Sequence, residues 1–198
     1  MSILLPTIHG PSSANMRAVT FGGNQEGALG GPTTAIHRAG DRYAIDVAIS
    51  VMSHAAAAEW ASALEEAISG DAAIAIPQPW LAIGAPGSAV AVDGAGQSGM
   101  TLNLKGFPAG YQVGKRQFFH IAHAGKRFVY RARAATLAGG DGRMTLPIWP
   151  MLRFLTIDSE GCYFDAPIIE GQLIGGEKGV TMIRARAEPV SISIVERD

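Results

Sequence analysis

Three short stretches carry residue types that could do chemistry, and each depends on its setting. Gly94-Ala-Gly-Gln-Ser-Gly99 has the GxGxxG spacing of a loop that cradles a pyrophosphate. That chemistry needs a helix opening directly after the glycines, so that its first N–H groups can receive the phosphate. Here Met-Thr-Leu-Asn-Leu follows and reads as a strand, and no acidic residue stands about 20 positions on to hold a ribose. The stretch therefore reads as a glycine-rich hairpin. Gly96-Gln-Ser-Gly99 comes close to a nucleophile elbow, but the glycine needed at the next position is Met100. His120-Ile-Ala-His123 resembles a metal pair. On a strand, residues three apart point to opposite faces, and no cysteine or carboxylate stands near in sequence. The pair reads as strand histidines with aromatic neighbours. His9, His37 and His54 are scattered, and the single cysteine, Cys162, reads as a small buried hydrophobe. No catalytic residue, metal ligand or cofactor is assigned.

A larger signal is electrostatic. Residues 94–140 hold seven Lys or Arg and no Asp or Glu, in a chain of formal net charge -1. The set is Lys105, Lys115, Arg116, Lys126, Arg127, Arg131 and Arg133. Phe107, Tyr111, Phe118, Phe119, Phe128 and Tyr130 interleave with it. Cations beside exposed rings on a β surface could hold single-stranded nucleic acid by phosphate pairing and base stacking. Phe118, Phe128 and Tyr130 occupy alternating strand positions, which points instead to a packed aromatic face behind a basic outer one. Such an outer face reads first as a solvated surface and next as a contact for an acidic protein partner.

These residues must be positioned by strands and turns. The 198 residues, 47% hydrophobic and 17% charged, can bury a sizeable core in one large domain or two small ones. One cysteine excludes an internal disulfide, and no run approaches the roughly 18 apolar residues of a membrane helix. The start, Met-Ser-Ile-Leu-Leu-Pro, lacks the basic region of a signal peptide, so a soluble protein made in the cytoplasm is expected. Residues 1–13 look like an extended arm and 14–21 a strand. Residues 42–51 alternate, with Tyr43, Ile45, Val47, Ile49 and Val51 on one face. The one convincing helix is 54–69, capped by Ser53, striped by Trp60, Leu64 and Ile68, and stopped by Gly70. Glu59, Glu65 and Glu66 fall off that stripe and read as a solvated face. Further strands are expected at 100–104, 116–122, 127–134, 144–149, 163–169, 172–174, 181–186 and 190–195, with turns at Gly125 and at Gly139-Gly-Asp-Gly142.

The pattern predicts a mainly β fold: a β-sandwich from residues 1–85 and 160–198 with one flanking helix. A small barrel-like β module, 86–159, is inserted in it. Between the first two strands lies a glycine-rich loop whose Gly22, Gly23, Asn24, Gln25, Glu26, Gly27, Gly30, Gly31 and Pro32 offer few apolar anchors. It reads as long and exposed, and is the candidate inter-subunit loop because glycine admits the unusual backbone such docking needs.

The order of motifs over 94–153 resembles phage tail-tip structural proteins, specifically distal tail proteins. It runs through Asp93-Gly94-Ala-Gly, Gly106-Phe-Pro108, Val113-Gly-Lys115 and Gly125-Lys-Arg-Phe-Val-Tyr130. It continues through Asp141-Gly142 to Leu146-Pro-Ile-Trp-Pro-Met-Leu-Arg153. Upstream, the strand leading into Ala-Ala-Glu-Trp-Ala-Ser-Ala-Leu64 is similar to the same proteins' strand–helix step, so the resemblance spans roughly 40–155. Two departures stand out: Lys115 where the pattern often has an acidic residue, and no room for a further C-terminal sugar-binding-like sandwich. The resemblance implies a short structural protein of the virion tail tip, six copies of which form a ring joining the tail tube protein to the baseplate hub protein. DNA passes only through its lumen, and no membrane is involved. The basic set would then be an outward contact to the next tail component. The rival reading is a nucleic-acid-binding β module using the basic-aromatic face of 94–140. An enzyme, or a carbohydrate-binding sandwich with Trp80 or Trp149 as platform, stands behind these.

Overall fold

A computed structural model describes residues 2–8, 10–27, 30–36, 38, 40–175 and 179–197. The strands run in chain order as β1 Ser2–Leu4, β2 Pro11–Val19, β3 Gly23–Gln25, β4 Thr34–Ile36 and β5 Arg42–Ile49. The helix α1, His54–Ile68, comes next, then β6 Asp71–Ala75, β7 Ala91–Val92, β8 Thr101–Lys105, β9 Gln112–Val113 and β10 Phe118–His123. They continue as β11 Lys126–Ala132, β12 Thr136–Leu137, β13 Met144–Trp149, β14 Cys162–Tyr163, β15 Ile168–Leu173, β16 Met182–Ile183, β17 Arg186–Ala187 and β18 Val190–Glu196. The fold is mainly β with one flanking helix.

Two six-stranded sheets form the body. The first has the order β1-β6-β15-β18-β5-β2 and the second β14-β10-β11-β13-β8-β7. Strands of the first come from before residue 76 and after residue 167, and those of the second from 91 to 163, with β14 extending that sheet beyond residue 159. β12 pairs with β9, β16 with β17, and β3 with β4 as separate ribbons.

Each sheet has its own core. In the first, Ile45, Val47, Ile49, Ile169, Ile192 and Ile194 pack with Trp60 and Leu64 of α1. In the second, Leu102, Leu104, Phe119, Ile121, Tyr130, Leu146, Ile148 and Phe164 pack together. The hairpin β10–β11 is the shared wall: Phe118 and Val129 point into the first core while Phe119, Ile121, Phe128 and Tyr130 point into the second. Its turn is Ala124-Gly125, both at positive φ, between the paired residues His123 and Lys126, as a two-residue hairpin loop demands. A fully buried carboxylate helps join the sheets. Glu196 of β18 accepts from the backbone N–H of Tyr43 in the first sheet at 2.8 Å and of Val129 in the second at 2.7 Å.

Several expected boundaries move. The arm expected at 1–13 instead supplies β1, which runs parallel to β6, and the first residues of β2. Val51 lies outside β5 and is exposed, while Ala44, expected on the opposite face, is buried. The strand expected at 116–122 starts two residues later, because Arg116 adopts a left-handed turn at φ 73. On α1, Ile68 is exposed and Ala67 takes the buried place. Ser53 does cap the helix, its Oγ accepting from Ala56 N at 3.3 Å.

Candidate assembly interface

The glycine-rich segment forms a two-stranded arm. β3 and β4 pair from Gly23 opposite Ile36 to Gln25 opposite Thr34, and every described residue of both strands is exposed. Ala28 and Leu29 of this loop, like His9 and His37, lie outside the described residues. The root of the arm is fixed: Phe21 N donates to the buried Asp41 Oδ1 at 2.7 Å, and the Arg42 guanidinium lies 4.7 Å above the Phe21 ring. Beyond that root the ribbon stands off the body, with a cleft of about 360 Å³ between it and Trp149. An isolated two-stranded ribbon is at best marginally stable in water. A ribbon built on a pinned root and buried on neither face is suited to lie against something else.

Beside the arm, β2 is an edge strand of nine residues paired only with β5 among the described residues. Native edges of this length are normally covered or protected by charge. Ala14, Asn15 and Met16 of this edge line a cleft of about 340 Å³ whose other walls are Pro77, Trp80, Phe118, Arg116 and Arg131. Trp80, a candidate sugar platform from sequence, is 56% exposed.

The basic set does not form one face. Arg127, Val129 and Arg131 alternate on the side of β11 turned toward the first sheet. Arg127 is taken up by Glu170 at 2.8 Å and also donates to Ser2 Oγ at 3.3 Å. Lys105 pairs with Asp158 at 2.8 Å, and that contact, with N–H donation from Gly94 and the Ser159 hydroxyl, holds the Asp158 carboxyl well below the usual range. Lys126 sits at the hairpin turn, and Arg133 reaches the Met100 sulfur. Lys115 is exposed beside the cleft residue Arg116. Arg116 and Arg131 have no carboxylate partner among the described residues, and they share the cleft with Trp80. Nothing in the sequence flagged this meeting, since Trp80 stands far upstream of both arginines.

The aromatic set is largely internal: Phe107, Phe118, Phe119, Phe128 and Tyr130 are buried, and Tyr111 is half-buried. The two histidines part as alternation requires. His120 stacks on Tyr163, and its Nδ1 accepts from Ile168 N at 3.0 Å, which leaves the proton on Nε2. Burial, with Arg127 nearby, pushes its pKa down to about 4. His123 stacks on Phe154 and contacts Glu160, a carboxylate that only the fold brings to it. Among the described residues no group of three His, Cys, Asp or Glu could hold a metal ion, and no helix is long and apolar enough to cross a membrane. Cys162 is buried, and burial raises its thiol pKa. The chain matches no family model, and none of the curated proteins compared with it is similar to it.

Proposed function

We propose that this chain is a structural protein of a phage tail tip, similar to distal tail proteins, that assembles into a ring between tail tube and baseplate hub. Its work is association of β faces and not transformation of a substrate. The observation that carries the reading is the β3–β4 arm, whose strand residues are all exposed and which stands next to β2, an edge strand paired on one side only among the described residues. An exposed ribbon and an unpaired edge are complementary means of adding chains to a sheet. The motif order over 94–153 supplies the tail-tip assignment, and the hexamer with it.

The test is the mass of the purified protein in solution, alone and with a tail tube protein. A closed multimer in either condition is expected, and removal of residues 23–31 should abolish it without unfolding the subunit. A monomer in both conditions overturns the reading. The rival, nucleic-acid binding through residues 94–140, loses most of its stacking rings to the core. Binding of a labelled oligonucleotide that weakens steeply with salt would favour it over the ring.

A further inference from the structure

We propose that the cleft between Trp80, Arg116 and Arg131 receives the β3–β4 arm of a second copy of this chain, with the incoming Glu26 paired to the two arginines. The inference rests on the self-assembly reading and names its contact.

The first support is charge. Glu26 is the sole charged residue between Gly22 and Ile36, and it follows β3 directly. It has no basic partner among the described residues of its own chain. The cleft holds two guanidinium groups that likewise lack a carboxylate among the described residues, while Arg127, on the same strand as Arg131, has Glu170. A carboxylate entering between two arginines gains charge-assisted hydrogen bonds that a solvated pair does not. Trp80 and Phe118 supply the apolar wall, and Trp and Arg together are the residues in which binding energy concentrates at interfaces.

The second support is the edge. The cleft opens along Ala14–Met16, on a strand whose outer hydrogen-bonding side is unfilled among the described residues. A ribbon three residues wide in each strand can lie along that edge and still deliver its following residue into the cleft. The acidic face of α1, with Glu59, Glu65 and Glu66, is the competing source of carboxylates. A helix is about 10 Å across and offers no backbone groups to an open strand edge.

Arm and cleft are separate patches of one chain. Each copy donates one arm and accepts one, so the contact is met by a reciprocal pair, by a closed ring or by a filament.

The test is sedimentation velocity over a concentration series, at low and high salt, on full-length chains whose circular dichroism matches wild type. Glu26→Arg should weaken self-association by at least about tenfold, as should Arg116→Glu with Arg131→Glu. Combining all three changes should restore association to within a few-fold of wild type. Reversal of Glu59, Glu65 and Glu66 should leave it unchanged. Association that survives Glu26→Arg, or no rescue in the triple variant, overturns this pairing and leaves the ring reading standing. Loss on reversing the helix glutamates alone also overturns it. A wild-type chain that stays monomeric under every condition, tube protein included, overturns both.

Discussion

Arg153 lies over the Phe128 ring, its guanidinium carbon 4.9 Å from the centroid, and donates through Nη2 to Oε1 of Glu196 at 2.9 Å. Both side chains are essentially buried. Burial raises the Glu196 pKa, and Arg153 with the N–H groups of Val129 and Tyr43 oppose that shift. Glu196→Ala strands a buried guanidinium and two backbone donors. It should cost about 3–5 kcal/mol in denaturant unfolding. Arg153→Ala should cost a similar amount, and the double variant less than the sum, because each change already destroys the shared contact.

His120 gives stability a pH dependence of known sign. Its folded pKa lies near 4 and its ordinary value at 6.5. As pH falls below 6.5 the unfolded imidazole takes up a proton that the folded one refuses until about pH 4. Stability from this group is therefore whole above that window and lost within it. From pH 7 to pH 5 the loss is about 2 kcal/mol. The difference between wild type and His120→Gln in urea titrations should shrink by that amount over the same interval. A difference that stays constant would show that the imidazole is not held neutral.

The turn before β13 separates two glycines. Gly142 has φ 72, and a Cβ there would overlap the Phe107 carbonyl oxygen, whereas a Cβ on Gly140 meets nothing. Gly142→Ala should destabilise by about 2 kcal/mol or more, and Gly140→Ala by less than about 0.5 kcal/mol. Thermal unfolding of the two variants side by side checks this.

Trp60 anchors α1. It is fully buried, and its Nε1 donates to the Ile8 carbonyl at 3.0 Å, tying the helix to the segment between β1 and β2. Trp60→Ala should cost about 3–5 kcal/mol by opening a cavity under the helix. Trp60→Phe, which opens a smaller cavity and leaves the carbonyl without its indole donor, should cost less.

What was legible in the sequence was local. Ser53, Trp60 and Leu64 announced the helix because capping and period act over a few residues. Ile68 was misplaced by counting in fours. Each such step gains about 40° around the axis, so the second carries Ile68 off the sheet, while seven residues from Trp60 return Ala67 to it. The strand read at 116–122 crossed a turn, since nothing in Lys-Arg-Gln announces a left-handed Arg116. The cleft residues Asn15, Trp80, Arg116 and Arg131 meet only through the packing of two sheets, and Glu196 reaches Val129 the same way. No local pattern encodes either meeting, because the partners are set by which edges and faces come together. The aromatic run is packed, as its alternation suggests, but on two faces: β10 is covered on both sides, so Phe118 enters the first core and Phe128 and Tyr130 the second.

The order of the first sheet sets a schedule for synthesis. β15 and β18 lie between β6 and β5, yet they emerge from the ribosome after everything else in that sheet. Until they appear, β1 with β6 and β2 with β5 are two detached halves, while the strands from β7 to β14 can already pair among themselves. Residues 190–196 then zip the halves together, a late, long-range step of the kind that makes β topologies slow. A nascent chain halted before that point would carry a finished inner unit and an open outer sheet, the state in which a chaperone or a premature neighbour would find it.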